Sequence, residues 1–274
     1  VLGDKAKGKV LKYVPHGINE RIFYPITQEM TEEFAKVQDK RKQFFGDNQP
    51  DFVVLYNARN IRRKCLPDLI AGYKEFTDKL GEDKAKKCAL LLHTQPVDEN
   101  GTDLPAVIDL ICDPERNRVV FSTDRNSPFD MNILYNCSDV VALPSSNEGW
   151  GLSLTEGMMC GRPIIATVTG GMQDQMRFED ESGKWIDFDS NYFRDIADQI
   201  MNVYNLSKEQ REAIGKEARK WVTSDESMMS ARWMSKNVID TFEETLATWT
   251  PRPSYEFIKI EKLPRKKLVH PLTY

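Results

Sequence analysis

The sequence predicts an α/β domain in which a parallel sheet is covered by helices and followed by a purely helical segment. Three observations predict it. From residue 51 onward short apolar, β-branched runs alternate with longer stretches of helical period. Most of these runs are continuously apolar, as strands buried on both faces require. After residue 190 the strand signal stops while the helical period goes on.

Residues 27–50 carry many charges and end in Gly46-Asp-Asn-Gln-Pro50, which reads as a helix and then a loop leading into the sheet. Strands are expected at Phe52–Tyr56, Cys88–Leu92, Arg118–Ser122, Val140–Leu143 and Pro163–Thr167. Helices are expected between them at about 66–80, 103–112, 129–137, 152–160 and 172–178. Three more follow near 192–204, 207–222 and 226–247, the second opening on Ser207 with Gln210 three residues later, a capping-box spacing. Beyond Thr250 the chain contains Pro251, Pro253, Pro264 and Pro271, and its residues 259–267 carry five basic side chains against Glu261. That stretch reads as an extended, solvated arm, with an acidic partner or membrane surface as the sharper alternative.

The 274 residues are 40% hydrophobic and 29% charged, enough apolar material for an ordinary core. The longest apolar run, Cys88 to Leu92, is far short of the ~20 residues that a membrane crossing needs, so no transmembrane segment is expected, and cysteines that read as reduced thiols point to the cytoplasm. With 38 Lys and Arg against 42 Asp and Glu the net charge is −4, and nucleic acid is not an expected partner, although a local basic patch is compatible with it. Cys65, Cys88, Cys112, Cys137 and Cys160 include no C-x-x-C pair and read as reduced core thiols. The first residue is Val1 and no basic-then-apolar leader opens the chain, which reads as the latter part of a longer polypeptide.

Some motif-like features are discounted. Gly3 to Lys9 has P-loop spacing, but Val10 stands where a magnesium-holding Ser or Thr belongs. Asp187 and Asp189 have the spacing of a metal-binding carboxylate pair, yet their setting suits a helix N-cap. His16, His93 and His270 form no local ligand pair, so no metal is expected.

The informative stretch runs from Pro144 to Pro163. A strand ends, a loop carries Glu148, Gly149 and Gly151, and a helix begins near Leu152 with Ser153 in its first turn and Glu156 further along. Helix N-termini offer unpaired N–H groups and about half a unit of positive charge, a natural seat for phosphate. In open parallel sheets the ligand crevice lies at the carboxyl ends of the strands, where this loop falls. Carboxylates accept several hydroxyl hydrogen bonds and so suit a sugar or a ribose. Taken singly, Glu148 reads as a solvated loop acid and Glu156 as an exposed helix residue. A second cluster, Tyr56-Asn-Ala-Arg59-Asn-Ile-Arg-Arg-Lys64, places Arg59 just past a strand end and Lys64 near a helix start, so that both can turn into the same crevice. Two such cations suit a diphosphate, whereas Arg62 and Arg63 read as solvated surface charges. A third piece, Gly170-Gly171 followed by Asp174, is another strand-to-helix turn.

Together these residues resemble the C-terminal, donor-binding domain of the retaining GT-B glycosyltransferases of the family-4 type. Tyr13 to Asn19 with Phe23 and Pro25 resembles that family's lead-in. Arg59 and Lys64 match its diphosphate-holding pair, Glu148 and Glu156 its two glutamates seven residues apart, and Gly170-Gly171 its following turn. Ala58 and Cys65 stand where the family usually has glycine, and His16 where it has Asn.

The resemblance implies a Rossmann-like sheet forming the C-terminal half of a GT-B fold. It further implies a lead-in over 1–50 that joins a missing N-terminal acceptor-binding domain, a nucleotide-sugar-binding domain over 51–222, a C-terminal helix over 223–249 and a basic tail over 250–274. The implied activity is transfer of a hexose from a UDP- or GDP-sugar with retention, without metal or cofactor. Glu148 would contact the sugar hydroxyls, Glu156 the ribose, and Arg59 with Lys64 the diphosphate. N–H groups of Gly151, Leu152 and Ser153 would cradle the distal phosphate, with Gly149, Gly170 and Gly171 completing the donor site. Ser122 to Asn126 is the expected base-contacting loop; base, sugar and acceptor stay open. The alternatives are a domain that binds nucleotide sugar but needs an upstream domain for activity, and a related GT-B-like reaction such as phosphorolysis or epimerisation.

Overall fold

A computed structural model describes residues 7–176 and 193–250. The Asp187 and Asp189 pair, His270 and the tail beyond residue 250 lie outside the described residues, as do residues 3–6 of the P-loop-like stretch. The part of that stretch that is described, residues 7–9, is an exposed turn.

Helix α1 (Thr31–Phe45) leads into a five-stranded parallel sheet made of β1 (Phe52–Asn57), β2 (Cys88–His93), β3 (Val119–Ser122), β4 (Val140–Leu143) and β5 (Ile164–Ala166). The spatial order is β3-β2-β1-β4-β5, with Phe52 opposite Cys88, Val54 opposite Val140 and Val141 opposite Ile164. Each strand lies where its apolar run predicts it.

Helices α2 (Leu66–Lys79), α4 (Leu104–Ile111), α5 (Pro128–Asn136), α6 (Leu152–Met159), α8 (Phe193–Asn205) and α9 (Lys208–Thr223) flank the sheet. Successive strand residues point to opposite faces, and the core divides accordingly. Phe52, Val54 and Tyr56 join Leu90 and Leu92 in one layer with Ile70, Phe76 and Ile200 from α2 and α8. Val53 and Leu55 join Ala89 and Leu91 in the other, against Met158 and Val222 from α6 and α9. A continuous apolar run is what a strand with helices on both faces requires.

Three differences from the sequence reading have physical causes. A single turn, α3 (Glu82–Ala85), precedes β2 and is too short to show a period. The expected helix at 172–178 is α7 (Met172–Gln175), closed by Met176. The expected helix at 226–247 is α10 (Ala231–Thr248), which starts five residues late. Met228 has a left-handed backbone (φ 54°), and the backbone that follows is claimed by the lead-in: Ile18 N–H donates to Met229 O at 2.9 Å and Ala231 N–H to Ile18 O at 2.9 Å. Backbone groups used in that bridge cannot also begin a helix. Through it residues 18–26 become part of the domain, with Ile18, Phe23 and Ile26 buried.

The five cysteines are free thiols, but only Cys88, Cys137 and Cys160 are buried; Cys65 and Cys112 are half-buried. Among the described residues no helix is long and apolar enough to cross a membrane.

Candidate functional site

Between β1 and β4 the sheet order turns back on itself, and the segments leaving these two neighbouring strands diverge to open a crevice. The β1 segment makes a 3-10 turn, Arg62–Lys64, ended by Cys65 in left-handed conformation (φ 53°) before α2 begins. This is where the resemblance expects glycine, and the thiol residue keeps the same backbone at a cost of about 1–2 kcal/mol. The turn sends the Lys64 side chain inward, to 8% exposure.

The β4 segment carries Glu148, 5% exposed, and then Gly151 (φ 85°), the N-cap of α6. The first N–H groups of α6 therefore face the crevice without intrahelical partners. The resulting cleft, about 390 Å³, is lined by Lys64, Glu148, Gly151, Leu152, Ser153 and Glu156 together with His16, Asn57, Ala58 and Trp150.

Electrostatics separate the two acids. Glu148 Oε1 accepts from Lys64 Nζ, and its Oε2 lies 2.9 Å from Arg63 Nη1. Burial alone would raise this carboxyl, but the hydrogen bonds from Lys64 and Arg63 outweigh it and hold Glu148 below the usual carboxylate value. Among the described residues no cation pairs with Glu156. Burial raises its carboxyl, and the hydrogen bond from Tyr135 only partly offsets that. Tyr135 Oη donates to Glu156 Oε2 at 2.6 Å while accepting from Asn57 Nδ2 at 2.8 Å, a short relay from β1 through α5 to α6. Trp150 closes one side, donating to Thr155 Oγ1 at 3.1 Å and meeting the His16 ring edge-on at 5.8 Å.

The structure thus brings six of the predicted site residues together: Lys64, Glu148, Gly151, Leu152, Ser153 and Glu156. Gly149, Gly170 and Gly171 are not among the residues that line the cleft. Gly171 N–H donates to Glu148 O at 3.2 Å, and a Cβ on Gly171 would meet Gly149 O at 2.1 Å, so this turn supports the glutamate loop from behind. Arg59 departs from expectation. Its Nε and Nη2 donate to the two carboxylate oxygens of Asp98 at 2.7 and 3.0 Å, and the guanidinium, 59% exposed, does not line the cleft. Asp98 is pre-set for that fork, because its Oδ1 also accepts from Asn100 N–H at 2.9 Å. Ser122, at the start of the expected base-contacting loop, is buried and bonded to His93 Nδ1 at 2.9 Å.

The sequence reading does not single out Asn57, Tyr135 or Trp150, and it takes Arg63, which holds Glu148, as a solvated surface charge. A polar residue closing an apolar strand at the carboxyl edge was a usable signal for Asn57. Tyr135 lies in a buried run of α5 and carries none. Replacing it tests the relay. Tyr135→Phe removes a bond that lowers the Glu156 carboxyl, so that group rises further and protonates at a higher pH. The expected result is an upward move of the Glu156 midpoint in a carbon-13 NMR titration of the chain; an unmoved midpoint would break the relay.

An open parallel sheet with its crevice at the switch between two strands is the Rossmann-like class of α/β domain. The chain belongs to the glycosyl transferases group 1 family, whose model matches residues 37–221. Curated relatives match over shorter stretches. D-inositol 3-phosphate glycosyltransferase of Salinispora tropica is 40% identical over 58 residues, covering 21% of this chain and 12% of the relative, and that of Corynebacterium urealyticum is 36% identical over 76 residues, covering 27% and 18%.

Among solved structures, sucrose-phosphate synthase of Thermosynechococcus elongatus aligns with TM-score 0.65 at 22% identity, over 87% of this chain and 53% of that one. Anabaena HepE in complex with UDP and glucose aligns with TM-score 0.65 at 17% identity, over 88% and 59%. The C-terminal domain of a group 1 glycosyl transferase from Francisella tularensis aligns with TM-score 0.58 at 18% identity, over 77% and 98%. The fold is therefore that of the C-terminal half of a GT-B glycosyltransferase, and the chain spans about half the length of the larger proteins that share it.

Proposed function

We propose that this chain is the donor-binding part of a retaining glycosyltransferase that moves a hexose from a nucleotide diphosphate sugar to an acceptor. One observation carries the reading: Lys64, Glu148, Glu156 and the N-terminus of α6 meet in a single cleft, although the lysine and the first glutamate are 84 residues apart. In this reading the α6 N–H groups and Lys64 take the diphosphate and stabilise the charge that grows on it as the glycosidic bond breaks. Glu148, held ionised, accepts from sugar hydroxyls, and Glu156 accepts from the ribose. With an ammonium and a helix terminus supplying the positive field, the reaction proceeds without a metal ion, in a reducing compartment that suits five free thiols. Acceptor contacts come from outside this chain.

A thermal-shift screen over UDP, GDP, ADP and their hexose conjugates tests the reading, since a ligand at a hundred times its Kd stabilises by about 2.7 kcal/mol. UDP or UDP-glucose is expected to raise the melting temperature, because HepE takes both, and the rise is expected to survive EDTA. No shift from any nucleotide would overturn the proposal. Retention is read from the anomeric proton coupling of the product formed once the acceptor-binding part is supplied. A second reading, binding without catalysis, is favoured by the chain's share of its relatives' length. It predicts the same shift with no transfer by this chain alone, and activity only when an upstream domain is supplied.

A further inference from the structure

We propose that Arg63 is a positioning residue that tunes the cleft for its anionic ligand through Glu148. The inference rests on the donor-site reading above and concerns a residue that the resemblance does not place in the site. Arg63 grips the glutamate loop at both ends. Its Nη1 lies 2.9 Å from Glu148 Oε2 and also donates to Asn147 O at 2.6 Å, while its own carbonyl accepts from Ser146 N–H at 2.8 Å and Ser146 Oγ at 3.2 Å. Arg63 does not line the cleft itself, so its influence passes through the carboxylate.

Charge counting shows what that contact does. Lys64, Arg63 and Glu148 together carry +1; Lys64 and Glu148 alone carry zero. With Oε2 occupied by the guanidinium, Glu148 presents only Oε1 to Lys64, and one positive charge is left for a phosphate. Without it, a carboxylate 5% exposed can turn both oxygens on the ammonium and neutralise it. The groups facing Glu148 are Lys64 and Arg63 from the 3-10 turn, Tyr56 from β1, whose phenol is pushed up by burial first and by the Glu148 charge second, and Glu156 and His16 across the cleft. The two cations favour its ionised form, and the Ser145 hydroxyl adds to them.

The test uses the whole chain in four forms: wild type, Arg63→Ala, Arg63→Lys, and Arg62→Ala as a neighbouring exposed control, with Arg63→Gln held ready should the alanine variant fold poorly. The Glu148 carboxyl is titrated by carbon-13 NMR without ligand, assigned with Glu148→Gln, and UDP affinity is measured by calorimetry from about pH 3.5 to 8, a range that spans its lowered midpoint. Arg63→Ala is expected to move the Glu148 midpoint up by about one pH unit and to weaken UDP about tenfold, with the acidic limb of binding displaced by the same amount. Arg63→Lys is expected to recover most of both effects, and Arg62→Ala to match wild type. An unmoved midpoint overturns the inference. So does an affinity loss equal at every pH, which would mean that Arg63 meets the phosphate directly. If wild type binds no nucleoside diphosphate at all, the donor reading falls, while the ligand-free titration still decides whether Arg63 governs Glu148.

Discussion

Lys64→Ala is expected to abolish measurable UDP binding by this chain, a loss of at least a hundredfold, and to lower transfer by the complete enzyme by about 10²–10³. Lys64 is 8% exposed and, among the described residues, is the one lysine or arginine that lines the cleft. Stability should fall as well. Removing one partner of a buried ion pair leaves the other uncompensated, but Arg63 still holds Glu148 Oε2, so the cost should be about 1–3 kcal/mol, below that of a fully orphaned charge.

The double variant Lys64→Met with Glu148→Gln separates the two effects. It is expected to recover stability in urea denaturation, because neither charge is then buried alone, while UDP binding stays lost. Lys64→Arg should not restore affinity, since a planar fork does not reproduce a compact ammonium between Glu148 and the helix terminus. UDP affinity within threefold of wild type in Lys64→Ala would remove the lysine from the site.

Gly170→Ala is expected to give the second largest effect. The residue has φ 50°, and an added Cβ would lie 1.9 Å from Glu148 O, a backbone atom that cannot swing aside. Either the turn or the glutamate loop must move. The expected cost is about 2–4 kcal/mol, a fall in melting temperature of roughly 5–10 °C for a domain of this size, together with at least tenfold weaker UDP binding, because the displaced loop carries the carboxylate. Gly81→Ala is the control: its backbone is ordinary (φ −64°) and a Cβ there meets nothing within 4 Å, so stability should stay within about 0.5 kcal/mol. Normal binding by Gly170→Ala would show that the turn does not set the position of Glu148.

The pH behaviour of the site follows from the opposite environments of its two acids. Glu148 lies below the ordinary carboxylate value, so the stabilisation from its contacts with Lys64 and Arg63 is present above its unfolded value. That stabilisation disappears as pH falls through the lower, folded value. Glu156 is raised by burial, so it protonates first on acidification and its loss should mark the start of the acidic decline in donor binding. One environment keeps a charge and the other discourages it, and the difference comes from which acid has cations within reach.

Much of this was legible in the chain. The strands were readable because a run such as Phe52–Tyr56 must be apolar on both faces to lie between two helical layers, and that requirement is written into every position. Lys64 and Glu148 were readable as candidates because their segments leave strand ends, which open onto the crevice at the carboxyl edge, whereas Glu156, inside α6, was picked out by the family resemblance. The start of α10 was not readable. Its helical period extends back to residue 226, but the bridge to Ile18 takes the backbone before the helix can use it.

What the sequence determined by itself, then, is which segments form the sheet and which cover it. Burial and backbone hydrogen bonding impose a period on each segment separately, and a period can be read without knowing the neighbours. Tertiary structure alone decided the pairing of charges at the carboxyl edge. Arg59 and Arg63 have the same chemistry four positions apart, yet one is held by Asp98 and the other clamps Glu148. Asn57 meets Tyr135 across 78 residues to reach Glu156. Such contacts depend on where two distant loops come to rest against each other, and no local pattern records a distance between segments that meet only after folding.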